Sequence, residues 1–330
     1  MLNNTPLIDL HRHLDGSVRL NTIIELAQKY GITLPAYTLD ELRPYVQIME
    51  NQPGVMAFIE KFRYMTAILA DENCCYRIAY ECVEDLKQEE IDYAELRFSP
   101  WFMAEAHQLN ASAVVEAVVH GVQDASREFR LPVGLIGILS RTYGPETAWK
   151  ELQALKTRRD DLVALDLAGD EINFPGDLFV DHFKMARDLG WNVTIHAGES
   201  CGPESIWQAI HGLGAQRIGH GISAIQDRVL MDYLQKHAIG IECNLTSNVQ
   251  TSIVEDYASH PLKQFLEENI QATINTDDPG ISAVTILDEY KFAESLVGLT
   301  AEQLEQAQRN ALQQAFLSDA IKKELLARTK

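Results

Sequence analysis

The sequence predicts an α/β fold of the (β/α)8 TIM-barrel type, with extra helices inserted after the first strand. Three observations carry that expectation. Short apolar runs recur along the 330 residues, longer stretches with helical spacing separate them, and no Gly-x-Gly-x-x-Gly fingerprint follows the first run. Strands alternating with helices imply βαβ units and a parallel sheet. Without the dinucleotide fingerprint, a closed barrel is favoured over an open sheet.

The eight strand candidates are residues 6–11, 91–99, 131–139, 162–168, 191–196, 217–220, 238–244 and 271–276. Most are rich in Val, Ile or Leu, as strands covered on both faces are. Helical spacing marks 111–129, 145–156, 178–189, 204–213, 226–236 and 261–268. The first connection, from about 14 to 91, is far longer than the others and holds helix-like pieces at 20–30, 38–45, 55–69 and 73–89. It follows the C-terminal end of the first strand, on the barrel face that carries chemistry, where part of it would form a lid. Within it Phe58 and Phe62 share a helix face, either as core residues or turned toward a substrate. No low-complexity stretch, Ser/Gly-rich linker or repeat divides the chain, so a single domain over 1–330 is expected.

Composition narrows the function. Acidic side chains outnumber basic ones by 48 to 28, a formal charge of −20. That excess repels nucleic-acid backbones and anionic membranes, and a neutral small molecule fits better. The five cysteines are odd in number and lack Cys-x-x-Cys spacing, so they read as reduced thiols. The N-terminal MLNNTPLIDL has no signal-peptide pattern and no stretch is apolar enough to span a bilayer. A cytoplasmic protein is expected; its oligomeric state is left open.

Chemistry-bearing residues gather at four strand ends. His11-Arg12-His13 follows the apolar run Leu7-Ile8-Asp9-Leu10. Alternation along a strand turns both imidazoles to one side and Arg12 to the other. Two converging imidazoles are half of a zinc site, although His-x-His alone is a common accident. His196 ends the fifth run, and Glu199 follows it after an Ala-Gly turn. A carboxyl one short loop from a metal ligand is placed for general acid–base work; the plainer reading is a helix-start Glu. His220 stands between Gly219 and Gly221, with little bulk to block an approaching ligand. Asp277 and Asp278 follow the eighth run and precede Pro279-Gly280. Adjacent carboxylates repel unless a cation or shared proton joins them, and Pro279 splays the pair, so one would bind metal and the other substrate. Alone, the four residues would pass for a solvated turn. All four motifs fall at the C-terminal ends of expected strands one, five, six and eight, where barrels collect catalytic residues. The remaining histidines, His260 among them, read as ordinary polar positions. A mononuclear hydrolytic site follows, in which zinc would lower the pKa of water from about 15.7 to about 7.

The motifs HRHLDG, ELRFSP, DLAGDE, HAGE, RIGHG, TSN and NTDDPG, spread over essentially the whole chain, resemble those of the adenosine deaminase family within the metal-dependent amidohydrolase barrels. The resemblance implies one Zn2+ per chain, held by His11, His13, His196 and Asp277. It implies Glu199 as proton donor to purine N1, and His220 as the group that orients and helps deprotonate the attacking water. Asp278 would bond to N7, the Gly169 backbone N–H to N3, and Asp15 to a ribose hydroxyl, with His13 near the sugar. Lacking Cβ, Gly169 would let the backbone approach a flat base. The implied reaction is hydrolytic deamination of adenosine and 2′-deoxyadenosine to inosine, deoxyinosine and ammonia, in purine salvage. An adenine deaminase is the nearest alternative, but such relatives carry HxHLEG and RIDHG where this chain has HRHLDG and RIGHG. A nucleotide substrate would want basic side chains that are not gathered near the strand ends. A two-metal hydrolase would want a lysine at the end of the fourth strand, which here runs into Asp166-Leu167-Ala168-Gly169-Asp170-Glu171. A zinc-stabilised binding protein would need neither Glu199 nor His220.

Overall fold

The computed structural model describes residues 5–328. Eight strands run in the order of the sequence, and each pairs with the next in parallel. They are β1 (Ile8–His13), β2 (Tyr93–Phe98), β3 (Val133–Ser140), β4 (Leu162–Ala168), β5 (Asn192–Ala197), β6 (Arg217–His220), β7 (Gly240–Cys243) and β8 (Ala272–Ile274). The ring closes where Arg12 bridges Asp277: Asp277 N donates to the His11 carbonyl and His13 N to the Asp277 carbonyl, both at 2.8 Å. The expected barrel is therefore observed, and β4 and β6 have the expected bounds. β1 runs two residues further than expected, to His13, because these bonds extend it along the chain after β8. β8 is shorter: Asn275 N still donates to the Cys243 carbonyl at 2.9 Å, but Thr276 turns to the Asp9 side chain, its Oγ1 donating to Oδ2 at 2.6 Å.

The long first connection is helical, with Leu20–Tyr30, Leu39–Val46 and Glu72–Gln88 as its main pieces. The stretch expected as one helix over 55–69 is instead three short turns, Val55–Ile59, Glu60–Phe62 and Arg63–Ala67, the middle one 3₁₀. Such a tightened segment bends a helix locally. Helix Glu72–Gln88 lies close against Ala111–Phe129 at Gly121, where a Cβ would stand 2.5 Å from the Tyr76 carbonyl oxygen. C-terminal helices, including Ala301–Gln314 and Asp319–Arg328, bring Leu312, Ala315 and Leu325 against Ile8, Leu10 and Tyr93.

Barrel interiors are usually filled with branched apolar side chains. This one is ionic. Arg97 on β2 pairs with Asp166 on β4 at 2.8 Å and Glu242 on β7 at 2.9 Å. Arg217 on β6 pairs with Glu95 at 2.5 Å and Glu242 at 2.6 Å. All five side chains are fully buried, so each charge survives only because its partners replace water. This charged floor supports the residues above it. The five cysteines are free. Among the described residues no helix is long and apolar enough to cross a membrane.

Candidate active site and metal centre

β1, β5 and the turn after β8 bring His11, His13, His196 and Asp277 together. Asp277 Oδ1 lies 3.1 Å from His11 Nε2 and 3.3 Å from His13 Nε2, which is 3.2 Å from His196 Nε2. Below them, His11 Nδ1 donates to Glu242 Oε2 at 2.7 Å and His196 Nδ1 to Asp166 Oδ2 at 3.0 Å. These bonds fix both tautomers, so the two Nε2 atoms present bare lone pairs. His11 Nε2 is buried without a hydrogen-bond partner. A tetrahedral site with bonds of about 2.0 Å has edges of about 3.3 Å. The donor set fits a zinc-sized ion. His220 competes for the fourth place, because His11, His196, His220 and Asp277 also converge.

Backbone strain helps to aim these groups. His220 and Asp277 sit in the left-handed region, at φ 62° and 61°. That conformation costs roughly 1–2 kcal/mol for an L-residue, and here the paired barrel strands hold it. Gly219 is required for a reason other than open access: a Cβ would stand 3.0 Å from His11 Cε1 and 3.3 Å from His196 Cα. Gly169 has φ 110°, and a Cβ there would meet Thr142 Oγ1 at 2.4 Å. Its lack of a side chain is thus demanded by the turn itself as well as by any flat ligand.

A cavity opens above the cluster. His13, Asp15, Gly169, Glu199, His220, Asp277 and Asp278 all line it, and Phe58, Phe62 and Phe102 form an apolar wall. Phe58 and Phe62 are at once buried and turned to the cavity, so both sequence readings hold. Burial, aided by the Asp277 and Glu171 charges, holds Glu199 well above the usual carboxyl range. Burial and the neighbouring Asp277 do the same to Asp278, and burial lifts Asp15 to about 7. Burial opposes ionisation of Asp277 too, yet His220 and His11 hold its carboxyl well below the ordinary range. The two adjacent carboxyls are thus shifted in opposite directions, Asp277 down beside the imidazoles and Asp278 up.

Several supporting residues escaped the sequence reading. Glu242 and Asp166 orient His11 and His196, Arg97 and Arg217 hold those carboxylates, and Glu171 grips the loop carrying Glu199. The available signal was charge at alternate positions of apolar strands, as in Glu95-Leu96-Arg97.

A family model described as adenosine deaminase matches residues 6–330. An adenosine deaminase of Edwardsiella ictaluri is 57% identical over 320 residues, covering 97% of this chain and 96% of that protein. The fold is shared with an adenine deaminase from Arthrobacter aurescens (TM-score 0.91, 23% identity, 98% of each chain covered). It is shared as well with an amidohydrolase from Burkholderia ambifaria with bound Zn (TM-score 0.89, 24% identity, 99% of this chain and 90% of that one). Matched along nearly its whole length, the chain belongs to the adenosine deaminase family, whose members are hydrolytic deaminases.

Proposed function

We propose that this chain deaminates adenosine and 2′-deoxyadenosine in purine salvage in the cytoplasm, as a single domain over 1–330 using one Zn2+. His11, His13, His196 and Asp277 would hold the ion. The observation that carries the reading is that Glu199, a carboxyl that burial holds well above its usual range, faces the same cavity as this donor set. Zinc bound there supplies a water-derived nucleophile at neutral pH, with the pKa of water lowered to about 7.

The chain's own groups do the rest. The Glu199 acid donates its proton to purine N1, which makes C6 electrophilic. Water adds at C6, ammonia leaves, and the product is inosine. His220 stands 3.5 Å from Glu199 and 3.8 Å from Asp277, placed to orient the water between them. Purine N7 has only a lone pair to offer, so it needs a donor, and the Asp278 carboxyl held above its usual range supplies one. The Gly169 N–H serves N3, and Asp15 with His13 serves the ribose. No Lys or Arg lines the cavity among the described residues, which leaves a phosphate without a cation and favours nucleoside over nucleotide.

The test is a screen of adenosine, 2′-deoxyadenosine, adenine and AMP on protein of measured zinc content. Loss of adenosine absorbance with about one zinc per chain is expected. Turnover of adenine without adenosine would transfer the reading to a free-base deaminase.

A further inference from the structure

The motif Thr246-Ser247-Asn248 and the buried His260 take no part in that reading. His220, Asn248 and His260 are 1%, 0% and 3% exposed, so their polar atoms find partners inside the protein. The direction of their hydrogen bonds is fixed from one end. Leu262 N–H donates to His260 Nδ1 at 3.1 Å. A backbone amide can only donate, so Nδ1 carries no hydrogen and a neutral ring keeps its proton on Nε2. Burial keeps that ring neutral by pulling His260 down to about 3.

His260 Nε2 therefore donates to Asn248 Oδ1, 3.3 Å away. Turning the amide over would set two donors face to face, so its orientation is determined. Asn248 Nδ2 then donates to His220 Nδ1 at 3.0 Å. Asn244 Nδ2 lies between the two ring nitrogens, at 3.3 and 3.4 Å, and selects neither. Glu199 Oε1 is 3.5 Å from the same Nδ1, where the acid form meets a lone pair without conflict. With Nδ1 an acceptor, the His220 hydrogen is on Nε2, the atom 3.8 Å from Asp277 Oδ2.

We propose that Asn248 and His260 are positioning residues that lock His220 in the Nε2–H tautomer. This removes His220 from the metal's ligand set and leaves it an N–H donor that orients the attacking water, in place of the proton acceptor that the family resemblance implies. The proposal rests on the metal-site reading above, and it decides between the two sets. A nitrogen that carries hydrogen has no lone pair for a metal, so His13 completes the four.

The experiment is a 15N–1H spectrum of zinc-loaded, histidine-labelled protein, with His220 assigned by its loss in His220→Asn. A pyridine-type Nδ1 and a proton-bearing Nε2 are expected for His220. The reverse pattern overturns the proposal. Asn248→Asp, an acceptor in place of a donor, should move the hydrogen to Nδ1 and lower kcat about 10–100-fold, with little change in KM. A tautomer unmoved by that change also overturns it. His260→Leu should give mixed tautomers, and His260→Gln, which keeps an N–H donor, should restore the single one; a single tautomer in His260→Leu removes His260 from the device. The wild-type spectrum decides even where a variant fails to fold. It is recorded without substrate, so failure of adenosine turnover would leave this result intact.

Discussion

Glu171 Oε1 accepts the backbone N–H of Gly198 at 2.7 Å, and Oε2 accepts those of Ser200 and Cys201 at 2.7 and 3.1 Å. The amide it passes over belongs to Glu199. From the other side, Arg141 donates to the His196 carbonyl at 2.7 Å. An anion under the amides and a cation under the carbonyl grip one loop that carries His196, the proposed metal ligand, and Glu199, the proposed proton donor. Gly169, proposed to serve purine N3, precedes Glu171 by two residues, so one loop after β4 would register base against acid. Glu171→Ala would take the carboxylate from the Ser200 and Cys201 N–H groups, each costing about 1–3 kcal/mol if left buried, while the Gly198 N–H keeps Ser205 Oγ at 2.8 Å. The loop is expected to shift, lowering kcat about 100-fold, as small misplacements do. KM and zinc content should hold. Steady-state kinetics with metal analysis check this, and an unchanged kcat dismisses the positioning role.

Glu199→Gln keeps the shape of the side chain but removes its acidic proton. Glu199 is outside the proposed ligand set, so zinc content should equal that of the wild type. Turnover of adenosine should fall about 10²–10⁴-fold, the usual contribution of a placed acid. A variant that keeps both metal and rate would take the proton donor elsewhere.

The strands and the proposed site residues were legible in the sequence for different reasons. Apolar runs mark parallel strands because both faces are covered, which located all eight, and β4 and β6 to the residue. His11, His196, Glu199, His220 and Asp277 stand in short motifs at the strand ends, each with a Gly, a Pro or a second His or Asp within two residues. Glu242 offers no such mark. It interrupts an apolar strand, and its partner Arg97 is 145 residues away in sequence. Its meaning exists only once the barrel has closed. His260 was passed over for the same reason: its partners are a backbone amide and an Asn that are unremarkable until folded.

Gly16 has a role visible only in space. A Cβ there would stand 1.8 Å from Asp278 Oδ1 and 2.7 Å from its Cγ. Gly16→Ala is expected to push Asp278 off the position from which it would meet N7. Losing one strong hydrogen bond to the base should cost about 10–100-fold in kcat/KM. The metal cluster, on the Asp277 side, should keep its zinc. Unaltered kcat/KM would mean that Asp278 does not touch the substrate.

Glu151 gives the stability of the protein a pH dependence. It is fully buried, and its oxygens meet Ser99 Oγ at 2.6 Å and Ser140 N at 2.8 Å, with no cation beside it. Burial pushes its carboxyl up from 4.5 to about 8. For an acid with a raised folded pKa, the unfolded chain ionises first. Stability from this group is therefore present below about 4.5, declines as pH rises, and is fully lost above about 8. Glu151→Gln mimics the neutral acid, donating to Ser99 and accepting from Ser140. Its urea midpoint should decline less than that of the wild type across this window. Parallel midpoint curves would show that Glu151 is ionised in the fold.

Asp166 tests the floor beneath the metal. It accepts from His196 Nδ1 at 3.0 Å and Arg97 at 2.8 Å, and the His196 hydrogen bond and the Arg97 charge hold it low against the cost of burial. Asp166→Asn can still accept one of those donors, but its amide N–H then faces the other. Arg97 keeps Glu242 at 2.9 Å, so the barrel should fold. The His196 ring would lose the carboxylate that makes its Nε2 a stronger donor and fixes its rotation. Zinc affinity, read by competition with a chelator, should fall about 10–100-fold. Circular dichroism should be unchanged, which separates a weakened ligand from a lost fold. Unchanged affinity would mean that packing alone orients His196, and that the ionic floor serves the barrel without tuning the metal.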